Sequence, residues 1–239
     1  MRLICFPYAG GSAAIYRQLP RLLPDVDVRA IELPGRGSRL RERAHDSMDR
    51  LVDVLLHELA GYFDVPFACL GHSMGAAISF ELACRLPDPA RANLRHLFLS
   101  ARGAAGTPRR MRSLHALDDA AFKQGLLEIN PTRAAVLDSD ELMQIMMPAL
   151  RADFTLIERY RPRADGCIAV DITAFAGTED EAAPVDSVAA WQRATSRSFN
   201  LHLIEGGHFF LEKAMPQLAE VILARLGITN GLRDVSQCY

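Results

Sequence analysis

Residues Gly71-His72-Ser73-Met74-Gly75 set a hydroxyl between two glycines, after the apolar run "FACL" and before the alanine-rich "AAISFELAC". Burial alone would favour Val or Leu there. A serine on a sharp turn from strand into helix has a chemical use: its oxygen projects from the strand's C-terminal end, strained but reachable. Small flanking residues let the strand and helix backbones pass close beside it. The helix start behind it offers free N–H groups to a negative charge developing on a substrate. The alternative is a serine that only caps the helix. A cap does not need both glycines.

A nucleophilic serine needs a base, and the base needs a group to orient it. Seven histidines are available. His45 and His57 precede the turn, and His72 lies inside it and points elsewhere. His96 and His202 fall within strand patterns, and His115 begins a helical interval. His208 alone follows a strand pattern ("LHLIEGG") and precedes a helix pattern, which sets it on the same sheet edge as Ser73. The chain order serine, acid, histidine is the one used with this kind of turn. For the acid, "AGTEDEAAPVD" after Phe175 offers Glu179, Asp180, Glu181 and Asp186. Asp180 closes a Gly-x-x-Asp turn directly past the strand and is favoured. Glu179 is the second choice, and Asp186 fits the first turn of the next helix.

These side chains need a scaffold. Leu3–Pro7, Val28–Leu33, Phe67–Gly71, Leu94–Ser100, Ala169–Phe175 and Leu201–Ile204 are short apolar runs bounded by turn residues, as buried parallel strands are. Helical patterns at Asp46–Phe63, Met74–Leu86, Pro184–Thr195 and Phe209–Leu226 fall between them. The alternation predicts an α/β fold, a mostly parallel sheet with right-handed crossovers. From about residue 107 to 160 no strand pattern interrupts "DDAAFKQGLLEI" and "ELMQIMMPALRADFTLIERY", so this interval is a second small domain or a lid.

At 239 residues, 49% apolar and 23% charged, the chain fits one large globular domain. A net charge of −2 gives no whole-molecule attraction to nucleic acid. No apolar run reaches the roughly 18 residues of a membrane span. "MRLICFPYAGG" enters a strand at once, without the apolar region of a signal peptide, so a cytoplasmic protein is expected. Cys5, Cys69, Cys84 and Cys167 lie in apolar segments and read as buried small hydrophobes, whereas Cys238 sits in a polar tail.

"FPYAGGSA", "ELPGRG", "GHSMGA", the long lid pattern, Gly-x-x-Asp and "GGHFF" occur in that order over nearly the whole chain. In these motifs the chain resembles the stand-alone type II thioesterases of polyketide synthases and nonribosomal peptide synthetases. The resemblance implies a single α/β-hydrolase domain over 1–239 with a helical lid insertion at about 107–160. It implies Ser73 as nucleophile, Asp180 as acid, His208 as base, and the N–H groups of Met74 and Ala9 as oxyanion donors. It also implies acyl or peptidyl carrier domains as partners, with no metal and no cofactor beyond the partner's phosphopantetheine. A monomer is expected, and Met1 directly before the first strand suits a discrete protein meeting its substrate in trans. A carboxylesterase or acyltransferase on the same fold is the alternative. Met143, Met146 and Met147 share one helical face and are candidates for an acyl chamber, ordinary lid packing being the other reading. Carrier domains are usually acidic, so Arg102, Arg109, Arg110 and Arg112 are candidates for docking. A second arginine cluster is Arg36, Arg39, Arg41 and Arg43.

Overall fold

In the computed structural model, which describes residues 1–108, 110, 112–130, 138–162 and 167–228, the apolar runs pair edge to edge. They form β1 (Arg2–Phe6), β2 (Asp27–Ala30), β3 (Phe67–His72), β4 (Leu94–Ser100), β5 (Asp171–Gly177) and β6 (Phe199–Ile204). Every pairing is parallel, in the order β2-β1-β3-β4-β5-β6. The intervening helices are α1 (Leu19–Leu22), α2 (Met48–Glu58), α3 (Met74–Arg85) and α4 (Asp88–Arg91), then α5 (Asp119–Ile129), α6 (Asp140–Arg159), α7 (Val185–Ala189) and α8 (Leu211–Leu226).

Some boundaries differ from the sequence pattern. β2 ends at Ala30, short of Leu33. β5 starts at Asp171 and runs on to Gly177, because Ala176 and Gly177 still pair with Leu203 and Ile204. The expected helix Pro184–Thr195 is α7 followed by a 3₁₀ segment, Ala190–Ala194. The late start of β5 also leaves Cys167 exposed, against expectation, since its apolar run joins the sheet only four residues on. Cys5 and Cys69 are buried, Cys84 is half-buried, and Cys238 lies outside the described residues.

All six residues of β3 are buried, as in a strand covered on both faces. Phe67 and Cys69 join the apolar cluster of α2 and α3; Ala68 and Leu70 join that of α1 and α8. Between β4 and β5, α5 and α6 pack on each other through a small core of their own, including Leu114, Phe122, Leu126, Leu150 and Phe154. Asp118 and Ser139 cap these two helices by accepting from Ala121 and Leu142 N–H groups. Among the described residues no helix is long and apolar enough to cross a membrane.

The chain leaves β1 toward β2 on one side and returns as β3 on the other, so the loops after β1 and β3 diverge. A crevice at such a switch point, beyond the strands' carboxyl ends, is where ligands bind in this class of sheet. The two glycines of the turn set its depth. A Cβ on Gly71 would lie 2.1 Å from the Gly75 carbonyl oxygen, and one on Gly75 would lie 2.0 Å from that of Phe6. Helix α3 therefore starts directly against the end of β1. Gly75→Ala is expected to force the two apart and to lower unfolding free energy by at least about 3 kcal/mol, or to abolish soluble protein. Gly61→Ala, whose Cβ would meet nothing within 4 Å, should stay within about 0.5 kcal/mol of wild type in the same urea titration.

Candidate active site

Ser73 joins β3 to α3 with φ 54 and ψ −110, a conformation that non-glycine residues rarely adopt. Its side chain makes no capping bond, so the hydroxyl is free for another partner. That partner is His208: its Nε2 lies 2.9 Å from Ser73 Oγ, and its Nδ1 lies 2.8 Å from Asp180 Oδ2. A carboxylate beside Nδ1 means that Nδ1 carries the hydrogen, leaving the Nε2 lone pair to accept the Ser73 O–H. Asp180 Oδ1 accepts in turn from the N–H groups of Ala182 and Ala183 at 3.0 and 2.9 Å. Burial alone would raise the Asp180 pKa. The hydrogen bond and charge of His208, with the Ala183 N–H, hold it below the ordinary carboxylate value.

Of the two acid candidates the fold brings Asp180 to His208. Asp180 is buried, its N–H 3.3 Å from the Gly177 carbonyl across the turn, while Glu179 faces solvent. Glu181 is also exposed, and Asp186 sits in the first turn of α7, 3.8 Å from Arg110.

His72 points away from Ser73 but not away from the site. Its Nε2 lies 2.7 Å from the His208 carbonyl oxygen and its Nδ1 2.9 Å from Ser100 Oγ. The carbonyl can only accept, so Nε2 donates to it and Nδ1 accepts from the Ser100 hydroxyl. Burial pushes the His72 pKa down to about 3, so the ring is neutral. The sequence signal was a polar side chain at the end of an otherwise apolar strand, where burial demands partners.

Ala9, on the turn after β1, and Met74, the first residue of α3, line a cavity of about 480 Å³ together with Ser73 and His208. Among the described residues neither N–H makes a hydrogen bond. The helix dipole adds a positive end at Met74. From the lid, Phe154, Ile157 and Glu158 reach this cavity. None of the three methionines does. Met143 is buried in the lid's own core, Met147 packs against that core, and Met146 faces a second cavity of about 680 Å³ beside Gly10 and Leu150. The cavity with Ser73 is reached two to three turns further along α6.

Arg102 lines the Ser73 cavity, and Arg110 and Arg112 border the groove that opens onto Asp180 and His208. Arg112 is paired with Glu128 at 3.1 Å, and Arg109 lies outside the described residues. The second arginine cluster is not a free positive surface. Arg36 is buried against Asp153, and Arg39 is held by Glu42 and Glu58, which leaves Arg41 and Arg43 exposed.

A family model described as a thioesterase domain matches residues 1–226. The gramicidin S biosynthesis protein GrsT of Aneurinibacillus migulanus is 37% identical over 227 residues, which cover 95% of this chain and 89% of that protein. Thioesterase PikA5 of Streptomyces venezuelae is 33% identical over 237 residues, 98% of this chain and 84% of that protein. Among solved structures, the type II thioesterase BorB from the borrelidin biosynthetic cluster superposes with a TM-score of 0.85 at 33% identity, covering 94% of this chain and 92% of that one. The architecture shared with it is the α/β-hydrolase fold.

The buried histidines make stability depend on pH. His96, bonded to Thr173 Oγ1 at 2.8 Å, has its pKa pushed down by burial to about 4, beside the value of about 3 for His72. Between those values and the ordinary 6.5 the unfolded chain binds more protons than the folded one, so stability rises with pH. Lowering pH from 7 to 5 should remove about 2 kcal/mol per histidine. The depressed Asp180 pKa adds to the loss only below about pH 4. Urea unfolding of wild type and His96→Gln at pH 7, 6 and 5 checks this. The variant should lose at most half of the pH slope, since His72 and His202, whose pKa burial also lowers, supply the rest; an unchanged slope would assign the acid lability elsewhere.

Proposed function

The chain belongs to the thioesterase family and is a serine hydrolase acting on thioesters; from that premise we propose that its substrates are acyl and aminoacyl groups on the phosphopantetheine arms of carrier domains. Its role is to clear misloaded or stalled modules of a polyketide synthase or nonribosomal peptide synthetase. The observation that carries this reading is the Ser73–His208–Asp180 array, at 2.9 and 2.8 Å, in a chain that resembles type II thioesterases over most of its length.

Ser73 Oγ attacks the thioester carbonyl carbon while His208 Nε2 takes its proton. The carbonyl oxygen becomes an oxyanion, held by the N–H groups of Ala9 and Met74. Collapse breaks the C–S bond, the sulfur leaves as the phosphopantetheine thiolate and takes up a proton, and the acyl group stays on Ser73. A thiol with a pKa near 8.5 leaves readily, so protonation by His208 matters less here than in amide cleavage. Water, deprotonated by His208, then attacks the acyl-serine and releases the acid. Asp180 holds the imidazole in the required tautomer and stabilises its charged form. The acyl group lies in the Ser73 cavity, against Ala77, Ile157 and Trp191. Neither a metal nor a further cofactor takes part in this sequence.

The carrier approaches on the rim bearing Arg102 and Arg110, where positive charge speeds encounter with an acidic partner. Arg110→Glu should lower kcat/KM for an acyl-carrier protein, with the loss shrinking as salt rises. Activity on a small acyl-N-acetylcysteamine thioester should stay nearly unchanged. Equal losses on both would remove docking from the role of this residue.

Intact-mass analysis of an acylated carrier protein tests the main reading. Wild type should discharge it to the free thiol, and Ser73→Ala should not. Asp180→Asn should lower turnover by about 10⁴-fold, with Glu179→Gln near wild type. A wild type that cleaves the matched oxyester better than the thioester would favour a carboxylesterase.

A further inference from the structure

The turn that carries Ala9 is gripped from outside the sheet. Gly10 has φ 74, and a Cβ there would lie 2.5 Å from Leu150 Cδ2 on α6. The Gly10 N–H donates to Asp153 Oδ2 at 2.7 Å, and the Gly11 carbonyl accepts from Arg36 Nη1 at 3.3 Å. These two side chains also close on each other. Arg36 Nη1 is 2.6 Å from Asp153 Oδ2, and Nη2 is 2.8 Å from Oδ1, a bidentate pair. The Pro34 carbonyl fixes the guanidinium from behind, at 3.3 and 3.4 Å. Asp153 is 2% exposed and Arg36 9%.

A buried ion pair is a poor way to stabilise a fold, because desolvation offsets the attraction and a well-packed apolar pair serves as well or better. What it supplies is direction. Two parallel N–H to O bonds fix both planes, so the amide and carbonyl bonded to them are fixed too. Neither side chain lines the cavity with Ser73, so neither touches substrate there.

We infer that Arg36 and Asp153 are positioning residues for the oxyanion hole. Their pair orients the Ala9–Gly11 turn so that the Ala9 N–H stays aimed at the developing oxyanion, and it makes lid helix α6 part of the hole's support. This rests on Ala9 acting as a donor, as in the proposed function. It extends that reading from the residues that touch the oxyanion to those that hold them.

The test compares wild type, Asp153→Asn, Arg36→Lys and the apolar double variant Arg36→Met/Asp153→Leu. Each is assayed on an acyl-N-acetylcysteamine thioester and on an activated p-nitrophenyl ester. Each is also titrated with a trifluoromethyl ketone, which adds to a serine and forms an oxyanion, and with an unreactive thioether analogue of the substrate. The expected result is a kcat lower by about 10- to 100-fold on both substrates, with KM within about twofold. Affinity for the ketone should fall by the same factor, and thioether affinity should not move. The double variant also strips the partners from the Gly10 N–H and the Gly11 carbonyl, so it should melt lower than wild type. Folded at the assay temperature it should still be slow, which separates positioning from loss of the fold. Where it does not fold, Arg36→Lys gives the same comparison, since it keeps the charge and loses the fork. A folded variant with kcat within about twofold of wild type would overturn the inference, as would equal weakening of ketone and thioether. Wild type that cleaves the small substrates but not an acyl-carrier protein would overturn the carrier reading alone.

Discussion

The close approach of α3 to the end of β1 is the constraint from which the site is built. Gly71 and Gly75 have no Cβ to hold the two backbones apart, so α3 begins where β1 ends. That contact brings two unrelated N–H groups, Met74 from α3 and Ala9 from the turn after β1, to the walls of one cavity with Ser73. The strained φ of Ser73 costs on the order of 1–3 kcal/mol. Burial of α3 from Met74 to Ala83 offsets it. The same geometry that strains the serine exposes its hydroxyl.

His208 is held at two places by groups of opposite character. Asp180 takes the ring at Nδ1, and His72 takes the backbone at the carbonyl oxygen. Each holder is itself tied down, Asp180 by two loop N–H groups and His72 by Ser100 at the end of β4. The base therefore hangs between the ends of β3, β4 and β5, three adjacent strands of the sheet.

Ser73 and His208 were legible in the sequence because local punctuation carries them: each stands where a strand pattern stops and a helix pattern starts. The choice between Asp180 and Glu179 was only half legible. Adjacent residues on one loop differ in direction, and what decides is the extension of β5 to Gly177 and the tight turn from it. The methionine stripe showed which face of α6 is apolar but not how far along a 20-residue helix the Ser73 cavity lies. At 1.5 Å per residue, Met143 and Ile157 are roughly 20 Å apart on that face. Arg36 and Asp153, 117 residues apart, were hidden. Asp153 shares a stripe with Leu150, Phe154 and Ile157, which signals a carboxylate in need of a partner without saying which arginine supplies it. In the sequence Arg36 groups with Arg39, Arg41 and Arg43 as a second candidate docking cluster; the motif "ELPGRG" sets it apart from Arg41 and Arg43 without saying that it is buried or what it pairs with.

The two histidines of the site must also differ in charge. In the proposed mechanism His208 becomes an imidazolium as Ser73 attacks, and the His72 ring centre is 5.7 Å from its own. A second positive charge at that distance would oppose the first by about 3 kcal/mol at an effective dielectric constant near 20, more than a hundredfold in rate. Burial prevents it. Tyr8 and Phe210 crowd His72 at ring distances of 5.8 and 5.3 Å, and the ring is fully enclosed, with its pKa pushed down to about 3. The aromatic shell around His72 thus has an electrostatic consequence beyond its packing. It keeps the His72 imidazole a neutral donor above about pH 3, so that in the proposed mechanism Asp180 faces a single positive charge, that of His208.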